Sequence, residues 1–448
     1  MADALDAIFK AYDIRGLYPD EIDEVVARRV GNAFVRFTAA STVVVGHDMR
    51  ESSIPLSAAF IDGATLAGAD VMDIGLASTD LLYFASARFD APGAMFTASH
   101  NPAQYNGIKL CRAKAAPVGE ATGLAQIKEA VAAGLLERSE EVGSVERHDL
   151  LEEFGAHVRS FVDLKALRPL KVIADTANGM GGHVVPVVFA GTPIDLTVLF
   201  GELDGSFPNH PADPIQPENL VALQRAVVES GADVGLAFDG DADRVFLVDD
   251  QGAAVSGSTT TAIVAKGILE RCEPGEKVVY NLICSKTVPE VIREQGGIPV
   301  RSRVGHSFIK QVMAETGAVF GGEHSAHYYF RDNWRADSGS IAAMMVLEQL
   351  SLHQTPLSTL RLPYERYAQS GEINSEVTDQ ALVIERIAAE FSDATQDRLD
   401  GLTVEMDDWW FNLRPSNTEP LLRLNLEASD RAACDAHTQS LLALIRES

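Results

Sequence analysis

A strand pattern that occurs three times limits the possible folds of this chain more than any other feature. Each copy opens with an apolar, β-branched run that ends in a polar turn: STVVVGHDMR from residue 41, LKVIADTANG from 170 and EKVVYNLICS from 276. A helix-length spacer and two further apolar runs follow each time. Such runs are typical of buried parallel strands. Their alternation with helices predicts three similar mixed α/β domains.

The last part of the chain follows another pattern. An edge-like strand, an amphipathic helix, strands around a polar loop and a closing helix predict a C-terminal α+β domain. We therefore expect four domains, over residues 1–150, 151–253, 254–363 and 364–448.

Composition excludes several function classes. The formal net charge of −27 argues against nucleic-acid partners, which need a cationic surface. No apolar stretch reaches about 18 residues, and the first residues do not resemble a secretory signal, so we expect no membrane association. The four cysteines lack metal or disulfide spacing. Together these features predict a cytoplasmic protein.

The third strand of each copy runs into a loop rich in reactive side chains, and ligands bind beyond the carboxyl ends of such strands. In the first loop, TASHNP, Ser99 lacks the context of a hydrolase nucleophile. One interpretation is a helix N-cap, the commonest role of such a serine. The other is a phosphoryl carrier, with His100 and Lys109 as acid–base groups.

The second loop, DGDADR, presents Asp239, Asp241 and Asp243 at alternate positions. Three carboxylates in a tight turn suit Mg²⁺, which would then lie between them and Ser99. An EF-hand is excluded because its closing glutamate would fall at Asp250. A solvated acidic turn is the alternative.

Two further loops offer ligands for a sugar phosphate. In GGEHSAHYYF, Glu323, Ser325 and His327 alternate, which suits vicinal sugar hydroxyls, although a strand end without a ligand has the same pattern. In RPSNTEP, the fork of Arg414 matches two phosphate oxygens, although a plain hairpin turn has similar composition. The added donors of this loop are Ser416, Asn417 and Thr418.

The four loops, in this order, resemble those of the α-D-phosphohexomutase superfamily, and most closely those of its bacterial phosphomannomutase/phosphoglucomutase group. His324 stands where that group usually has methionine. The resemblance implies a heart-shaped arrangement of four domains, the last similar to the TATA-box-binding protein. It implies that Ser99 is the phosphoserine, that the three aspartates bind Mg²⁺, and that Glu323 and Ser325 hold the sugar. It further implies roles near substrate for Arg15, Arg244, Lys286 and His306, a general acid/base role for Lys109 and a second proton-transfer role for His327.

The expected reaction is the interconversion of mannose 1-phosphate and mannose 6-phosphate, through the phosphoserine and a 1,6-bisphosphate intermediate. Glucose phosphates are expected as further substrates, and hexose 1,6-bisphosphate as the activator beside Mg²⁺. The partners are then small hexose phosphates, and the protein a monomer or a dimer. Alternatives are a phosphoglucomutase, a phosphoglucosamine mutase and, less favoured because Ser99 and the aspartates are present, a non-catalytic phosphosugar-binding paralogue. Residues 361–371 are predicted to be a hinge that closes when Arg414 binds phosphate.

Overall fold

The structure is a computed structural model that describes residues 2–415 and 421–446, with side chains from Leu5 onward. The chain divides into two units. One consists of Met1–Ser256 with Ser325–Leu360, and the other of Gly257–His324 with Arg361–Ser448.

The first sheet of the first unit contains both parallel and antiparallel strand pairs. Strand β2 pairs in parallel with β3 on one side and β4 on the other, while β5 runs antiparallel to β4. The elements are α1 (Ala2–Ile8), β1 (Ile14–Leu17), α2 (Glu24–Thr38), β2 (Thr42–His47), α3 (Ser53–Leu66), β3 (Asp70–Leu76), α4 (Thr79–Arg88), β4 (Gly93–Phe96), β5 (Tyr105–Arg112), β6 (Ala116–Pro117), a 3₁₀ turn (Glu120–Thr122), α5 (Leu124–Ala133) and β7 (Val145–Arg147).

Aromatic packing fixes the end of β4, where the first reactive loop begins. Phe96, the last residue of β4, contacts Phe60 of α3 edge-on with ring centroids 5.5 Å apart, and Phe60 contacts Phe34 of α2 at 6.0 Å. All three rings are fully buried. Helices α2 and α3 approach closely at Gly63, where a Cβ would lie 1.9 Å from the Arg28 carbonyl oxygen. The loop after β4 therefore starts from a rigid core.

The second sheet repeats the arrangement. Its first strand in the chain, β8, pairs in parallel with β9 and β10, and β11 runs back antiparallel to β10. Every residue of β10 and β11 is buried, and the acidic loop 239–244 joins these two strands. The elements are α6 (Leu151–Arg159), β8 (Lys171–Asp175), α7 (Gly181–Phe189), β9 (Asp195–Leu199), a 3₁₀ turn (Pro217–Leu220), α8 (Val221–Ser230), β10 (Val234–Phe238), β11 (Val245–Asp249) and β12 (Ala254–Val255).

The third copy of the pattern lies in the second unit. Strand β13 again pairs in parallel with its two successors, β14 and β15. Its elements are α9 (Gly257–Leu269), β13 (Lys277–Asn281), α10 (Thr287–Glu294), β14 (Ile298–Ser302), α11 (His306–Thr316) and β15 (Phe320–Gly322). The predicted mixed α/β class is thus confirmed in all three copies. The chain then returns to the first unit as β16 (Tyr328–Phe330), a 3₁₀ turn (Arg331–Asn333), α12 (Gly339–His353) and α13 (Leu357–Leu360).

The C-terminal part of the second unit is an antiparallel sheet with the order β17-β21-β20-β19-β18. Its strands pack a buried apolar core against two helices, as the pattern of an α+β domain predicts. The elements are a 3₁₀ turn (Leu362–Tyr364), β17 (Ala368–Glu376), α14 (Gln380–Glu390), β18 (Thr395–Asp397), β19 (Leu402–Glu405), β20 (Trp409–Pro415), β21 (Leu421–Ala428) and α15 (Arg431–Arg446). Among the described residues, no helix has the length and apolar character needed to span a membrane.

Candidate active site

Ser99 lies in the turn that follows β4, and its side chain faces the acidic loop. Its Oγ donates a hydrogen bond to Asp239 Oδ2 at 2.9 Å, and its backbone N–H donates to Thr97 Oγ1 at 2.9 Å. The segment around Ser99 forms turns rather than the start of a helix, so the N-cap interpretation is wrong. Ser99 also has a left-handed φ of 50°, which is rare for a residue with a side chain.

Backbone contact holds the serine loop against the acidic loop. A Cβ at Gly240 would lie only 2.3 Å from the Ser99 carbonyl oxygen, so this position accepts glycine alone without a shift of the backbone. The two loops, which are 140 residues apart at the Ser99–Asp239 bond, meet at this point.

The three aspartates of the acidic loop form a buried cluster. Asp239, Asp241 and Asp243 are at most 1% exposed, and one oxygen of each lies within 4.8 Å of the others. The Oδ1 atoms of Asp241 and Asp243 are buried and have no hydrogen-bond partner among the described residues. Buried carboxylate oxygens without donors fit a hard cation such as Mg²⁺, so the solvated-turn interpretation is wrong.

Lys109 supplies the nearest positive charge to this cluster. Its Nζ donates to Asp241 Oδ2 at 2.6 Å and to Asp243 Oδ2 at 2.8 Å. Burial disfavours the charged lysine, but the two carboxylates outweigh burial and hold its pKa well above the ordinary value. The pKa of Asp241 is correspondingly lowered, because the attraction of Lys109 and hydrogen bonds from Lys109 and Thr79 overcome burial. Lys109 is therefore an ammonium group at neutral pH.

Asp239 has the opposite pKa shift. Burial raises its pKa to about 8, and repulsion from Asp241 and Asp243 adds to burial, although Arg244 opposes it. Arg244 donates from Nε to Asp239 Oδ2 at 2.8 Å and from its backbone N–H to Oδ1 at 3.2 Å. The cluster thus carries more negative charge than its protein partners balance, and a divalent cation would take the place of the proton.

Of two more predicted residues, His100 lies beside the serine and Arg15 contacts the loop that follows it. The Nδ1 atom of His100 is 3.3 Å from Ser99 Oγ. Burial, with Arg244 and Arg15 nearby, lowers the pKa of His100 well below its ordinary value, so this imidazole is neutral at pH 7. Arg15 donates to Asn101 Oδ1 in the same loop at 2.6 Å and pairs with Asp13.

Ser325 and His327 belong to the first unit. Ser325 Oγ lies 3.2 Å from His327 Nδ1, and His327 Nε2 lies 3.9 Å from Asp243 Oδ1. His327 is therefore a neighbour of the acidic loop.

In the second unit, two hydrogen-bond donors anchor Glu323. It is 1% exposed, and its Oε1 accepts hydrogen bonds from Gly305 N at 3.0 Å and from Asn281 Nδ2 at 3.3 Å. His306 begins helix α11 directly after Gly305. Lys286 is the N-cap residue of α10, and its backbone N–H donates to Glu427 Oε1 at 2.9 Å. Glu323, which follows β15, is thus held by the last residue of β13 and by the residue before α11.

Arg414, at the end of β20, has a carboxylate partner that its motif does not suggest. Its Nη2 donates to Glu372 Oε2 at 2.7 Å, and Arg423 lies 3.4 Å from the same carboxylate. A phosphate at Arg414 would compete with Glu372. Ser416, Asn417 and Thr418, also predicted for this loop, lie outside the described residues.

Sequence reasoning missed three residues that hold these groups in place. They are Asn281, which donates to Glu323, Thr79, which donates to Asp241 Oδ2, and Arg50, which binds the serine loop. Arg50 is the last residue of the first strand pattern, in its polar turn, so its position beyond a strand end was a usable signal. The same signal applies to the other two, because Thr79 lies three residues beyond the end of β3, as Arg50 does beyond β2, and Asn281 is the last residue of β13.

Three comparisons place this architecture among known proteins. Four family descriptions match along the chain: phosphoglucomutase/phosphomannomutase alpha/beta/alpha domain I at residues 6–137, domain II at 151–252, domain III at 256–367 and the C-terminal domain at 372–442. A Xanthomonas campestris protein named for phosphohexose mutases is 40% identical over 443 residues, covering 98% of this chain and 99% of its own. A phosphomannomutase of Salmonella typhimurium is 39% identical over 451 residues, again covering 98% and 99%.

A solved structure gives the same result. A phosphoglucomutase/phosphomannomutase family protein from Burkholderia thailandensis superimposes with a TM-score of 0.90 at 32% identity, covering 99% of this chain and 98% of its own. Three α/β/α domains and a distinct C-terminal domain define the phosphohexomutase class of isomerases. This chain belongs to the phosphoglucomutase/phosphomannomutase family.

Proposed function

We propose that this phosphohexomutase is a phosphomannomutase that also accepts glucose phosphates. The observation that carries the proposal is the 2.9 Å hydrogen bond from Ser99 Oγ to Asp239, inside a buried carboxylate cluster that also binds Lys109. A hydroxyl in this setting suits reversible phosphoryl transfer, because the cluster can hold a cation against the phosphate.

In the proposed reaction Ser99 carries the phosphoryl group. The bond from phosphorus to the serine oxygen breaks as a bond to a free sugar hydroxyl forms, which gives the 1,6-bisphosphate. The intermediate turns around, and its other phosphate returns to Ser99. Mg²⁺ held by Asp239, Asp241 and Asp243 would neutralise phosphate charge during transfer. Hexose 1,6-bisphosphate would phosphorylate Ser99 in resting protein and so act as the activator.

Proton transfer falls to groups with suitable protonation states. Lys109, held as an ammonium, protonates the departing serine oxygen. Neutral His100 can accept the proton of the attacking hydroxyl, and His327 serves as the second proton-transfer group. Arg15 and Arg244 stabilise the negative charge of the phosphoryl group that the serine loop carries.

Substrate binding is assigned to the remaining predicted residues. Glu323 and Ser325 bind two sugar hydroxyls, with Lys286 and His306 beside them. The phosphate that is not transferred binds Arg414, together with Ser416, Asn417 and Thr418.

Mannose and glucose differ only at the 2-hydroxyl, whereas the proposed pair of Glu323 and Ser325 binds the shared 3- and 4-hydroxyls. We therefore expect less than a thousandfold preference in kcat/KM between the two sugars, since larger ratios need about 4 kcal/mol of discrimination. Phosphoglucomutase and phosphoglucosamine mutase activities are the alternatives.

The wider organisation is also part of the proposal. The domains would span residues 1–150, 151–253, 254–363 and 364–448, in a cytoplasmic monomer or dimer whose partners are small hexose phosphates.

The test compares mannose 1-phosphate, glucose 1-phosphate and glucosamine 1-phosphate, each with a catalytic amount of the matching 1,6-bisphosphate. Conversion of the first two, lost on chelation of Mg²⁺ and in Ser99→Ala, supports the proposal. Turnover of glucosamine 1-phosphate alone, or full activity after exhaustive chelation, would refute it.

A further inference from the structure

Helix α4, which follows strand β3 of the first sheet, begins at a contact with the acidic loop that joins β10 and β11 of the second sheet. We infer that Thr79, the first residue of α4, is a positioning residue that orients Asp241 for the divalent cation. This inference rests on the metal site of the proposed function and adds a residue that neither the sequence motifs nor the family resemblance indicates.

Two hydrogen bonds join Thr79 to Asp241. The Thr79 hydroxyl Oγ1 donates to Asp241 Oδ2 at 2.6 Å, and the Thr79 backbone N–H donates to the Asp241 carbonyl oxygen at 3.1 Å. Thr79 is fully buried. Ser78 caps the helix by accepting from Leu81 N, so the position of Thr79 is fixed by its own helix. One residue thus fixes both the side chain and the backbone of Asp241.

These contacts divide the two carboxylate oxygens of Asp241 between different tasks. Oδ2 accepts from both Thr79 and Lys109, each at 2.6 Å. Oδ1 is buried and has no hydrogen-bond partner in the described part of the chain. The donors therefore occupy one oxygen and leave the other, which is unpartnered and fully desolvated, for a cation.

Lys109 alone cannot fix this orientation. Its ammonium group is shared with Asp243 Oδ2 at 2.8 Å, and it ends a flexible four-carbon chain. Thr79 is β-branched and restricted at χ1, so its hydroxyl is a rigid donor. Groups that orient a metal ligand typically change metal affinity by about 10- to 100-fold when removed.

The experiment measures cation binding directly, on full-length, metal-free protein. The Kd for Mg²⁺ is measured by calorimetric titration, and the Kd for Mn²⁺ by a titration monitored by electron paramagnetic resonance. Both are determined for wild type, Thr79→Val and Thr79→Ser. Valine keeps the shape of threonine without the hydroxyl, and serine keeps the hydroxyl. Thr65→Val is the matched control, because Thr65 also has a buried hydroxyl, which donates to the Ile61 carbonyl oxygen at 2.9 Å within α3.

We expect Thr79→Val to raise the Kd for Mg²⁺ by about 10- to 100-fold, and Thr79→Ser to stay within about threefold of wild type. Thr65→Val should bind as wild type does, even if its Tm falls, which separates orientation of the ligand from general loss of packing. If Thr79→Val does not fold, Thr79→Ala replaces it, with the same expected Kd.

The outcomes separate this inference from the proposed function. Wild-type affinity in Thr79→Val, or equal loss in Thr79→Ser, overturns the role of Thr79 and leaves the metal site standing. Absence of Mg²⁺ and Mn²⁺ binding in wild type overturns the metal site itself, and the role of Thr79 with it.

Discussion

Replacing Arg50 should loosen the serine loop in addition to lowering the stability of the whole fold. The side chain is 1% exposed and donates from Nη2 to the carbonyl oxygens of Ser99 at 3.0 Å and Asn101 at 2.7 Å. Nη1 donates to the carbonyl oxygens of Pro102 at 2.9 Å and Tyr105 at 3.2 Å. One guanidinium group therefore donates hydrogen bonds to four carbonyl oxygens between residues 99 and 105.

The magnitude follows from what Arg50→Met leaves behind. Asp48, fully buried and 3.2 Å from Arg50 Nε, loses its cationic partner, and removal of one partner of a buried pair costs about 3–5 kcal/mol. Carbonyl oxygens without donors add to this cost, at about 1 kcal/mol each where water cannot reach them. The Asp48 cost falls on the stability of the whole fold, whereas the four carbonyl oxygens become solvated when the loop opens, so the free energy of loop opening should fall by about 4 kcal/mol. Arg50→Lys keeps the charge but has at most three donors, and should lose about half as much.

Hydrogen exchange followed by mass spectrometry measures this change in the free energy of opening within the loop itself. A loss of about 4 kcal/mol corresponds to roughly a thousandfold faster exchange through opening of the loop, in peptides that contain the amides of Asn101 and Tyr105. Both amides donate within the loop, to Ala98 and Pro102. Arg147→Met is the control, because that side chain is 75% exposed. Exchange within about threefold of wild type in Arg50→Met would show that the loop does not depend on this guanidinium.

Three further predictions concern the carrier, a buried acid and the phosphate clamp. Purified active protein should carry a phosphate adduct in intact-mass spectra that is absent from Ser99→Ala; an adduct that persists in the variant would place the phosphate elsewhere. The pKa of Asp80 is raised from 3.8 to about 7, mainly by burial, so the folded protein holds a proton that the unfolded chain has lost. The stabilising contribution of this proton is complete below about pH 4 and disappears as pH rises through about 7. The free energy of unfolding of metal-free Asp80→Asn, relative to that of wild type, should therefore rise by about 2–4 kcal/mol from about pH 4 to about pH 8. Denaturation curves that keep a constant difference between the two proteins would contradict this. Arg414→Ala should raise KM and lower kcat, and small-angle scattering should show compaction with sugar phosphate in wild type only; normal compaction of the variant would mean that Arg414 does not couple binding to closure.

The strands and the meeting of the first two loops could be predicted from the sequence. Runs such as Val43–Val45 are β-branched and fully apolar, and the structure buries all three residues. Parallel strands end at one edge of a sheet, which is why polar residues after such runs indicate a site. Ser99 and Asp239 follow strands of two different sheets, so the rule gives the place of each at a strand end, and their contact agrees with the expectation that one cation lies between the two loops. The roles given to these side chains remain predictions.

The supporting contacts could not be predicted, because they depend on how modules pack. The hydrogen bond from Thr79 to Asp241 joins residues 162 positions apart, and no local pattern reports such a pairing. The partner of Arg414 was missed for a similar reason. Glu372 faces it across strands, next to a register shift in β17 between Gln369 and Glu372 that sequence patterns do not show.

The left-handed backbone at Ser99 also decides which amino acid can occupy the position. Threonine has an equivalent hydroxyl and would accept a phosphoryl group equally well by its chemistry. Its branched Cβ, however, clashes with a backbone of positive φ, where β-branched residues are genuine outliers. At φ 50° the loop therefore admits an unbranched hydroxyl side chain and rejects a branched one. Serine is therefore favoured over threonine at this position by the conformation of the backbone and not by the chemistry of phosphoryl transfer.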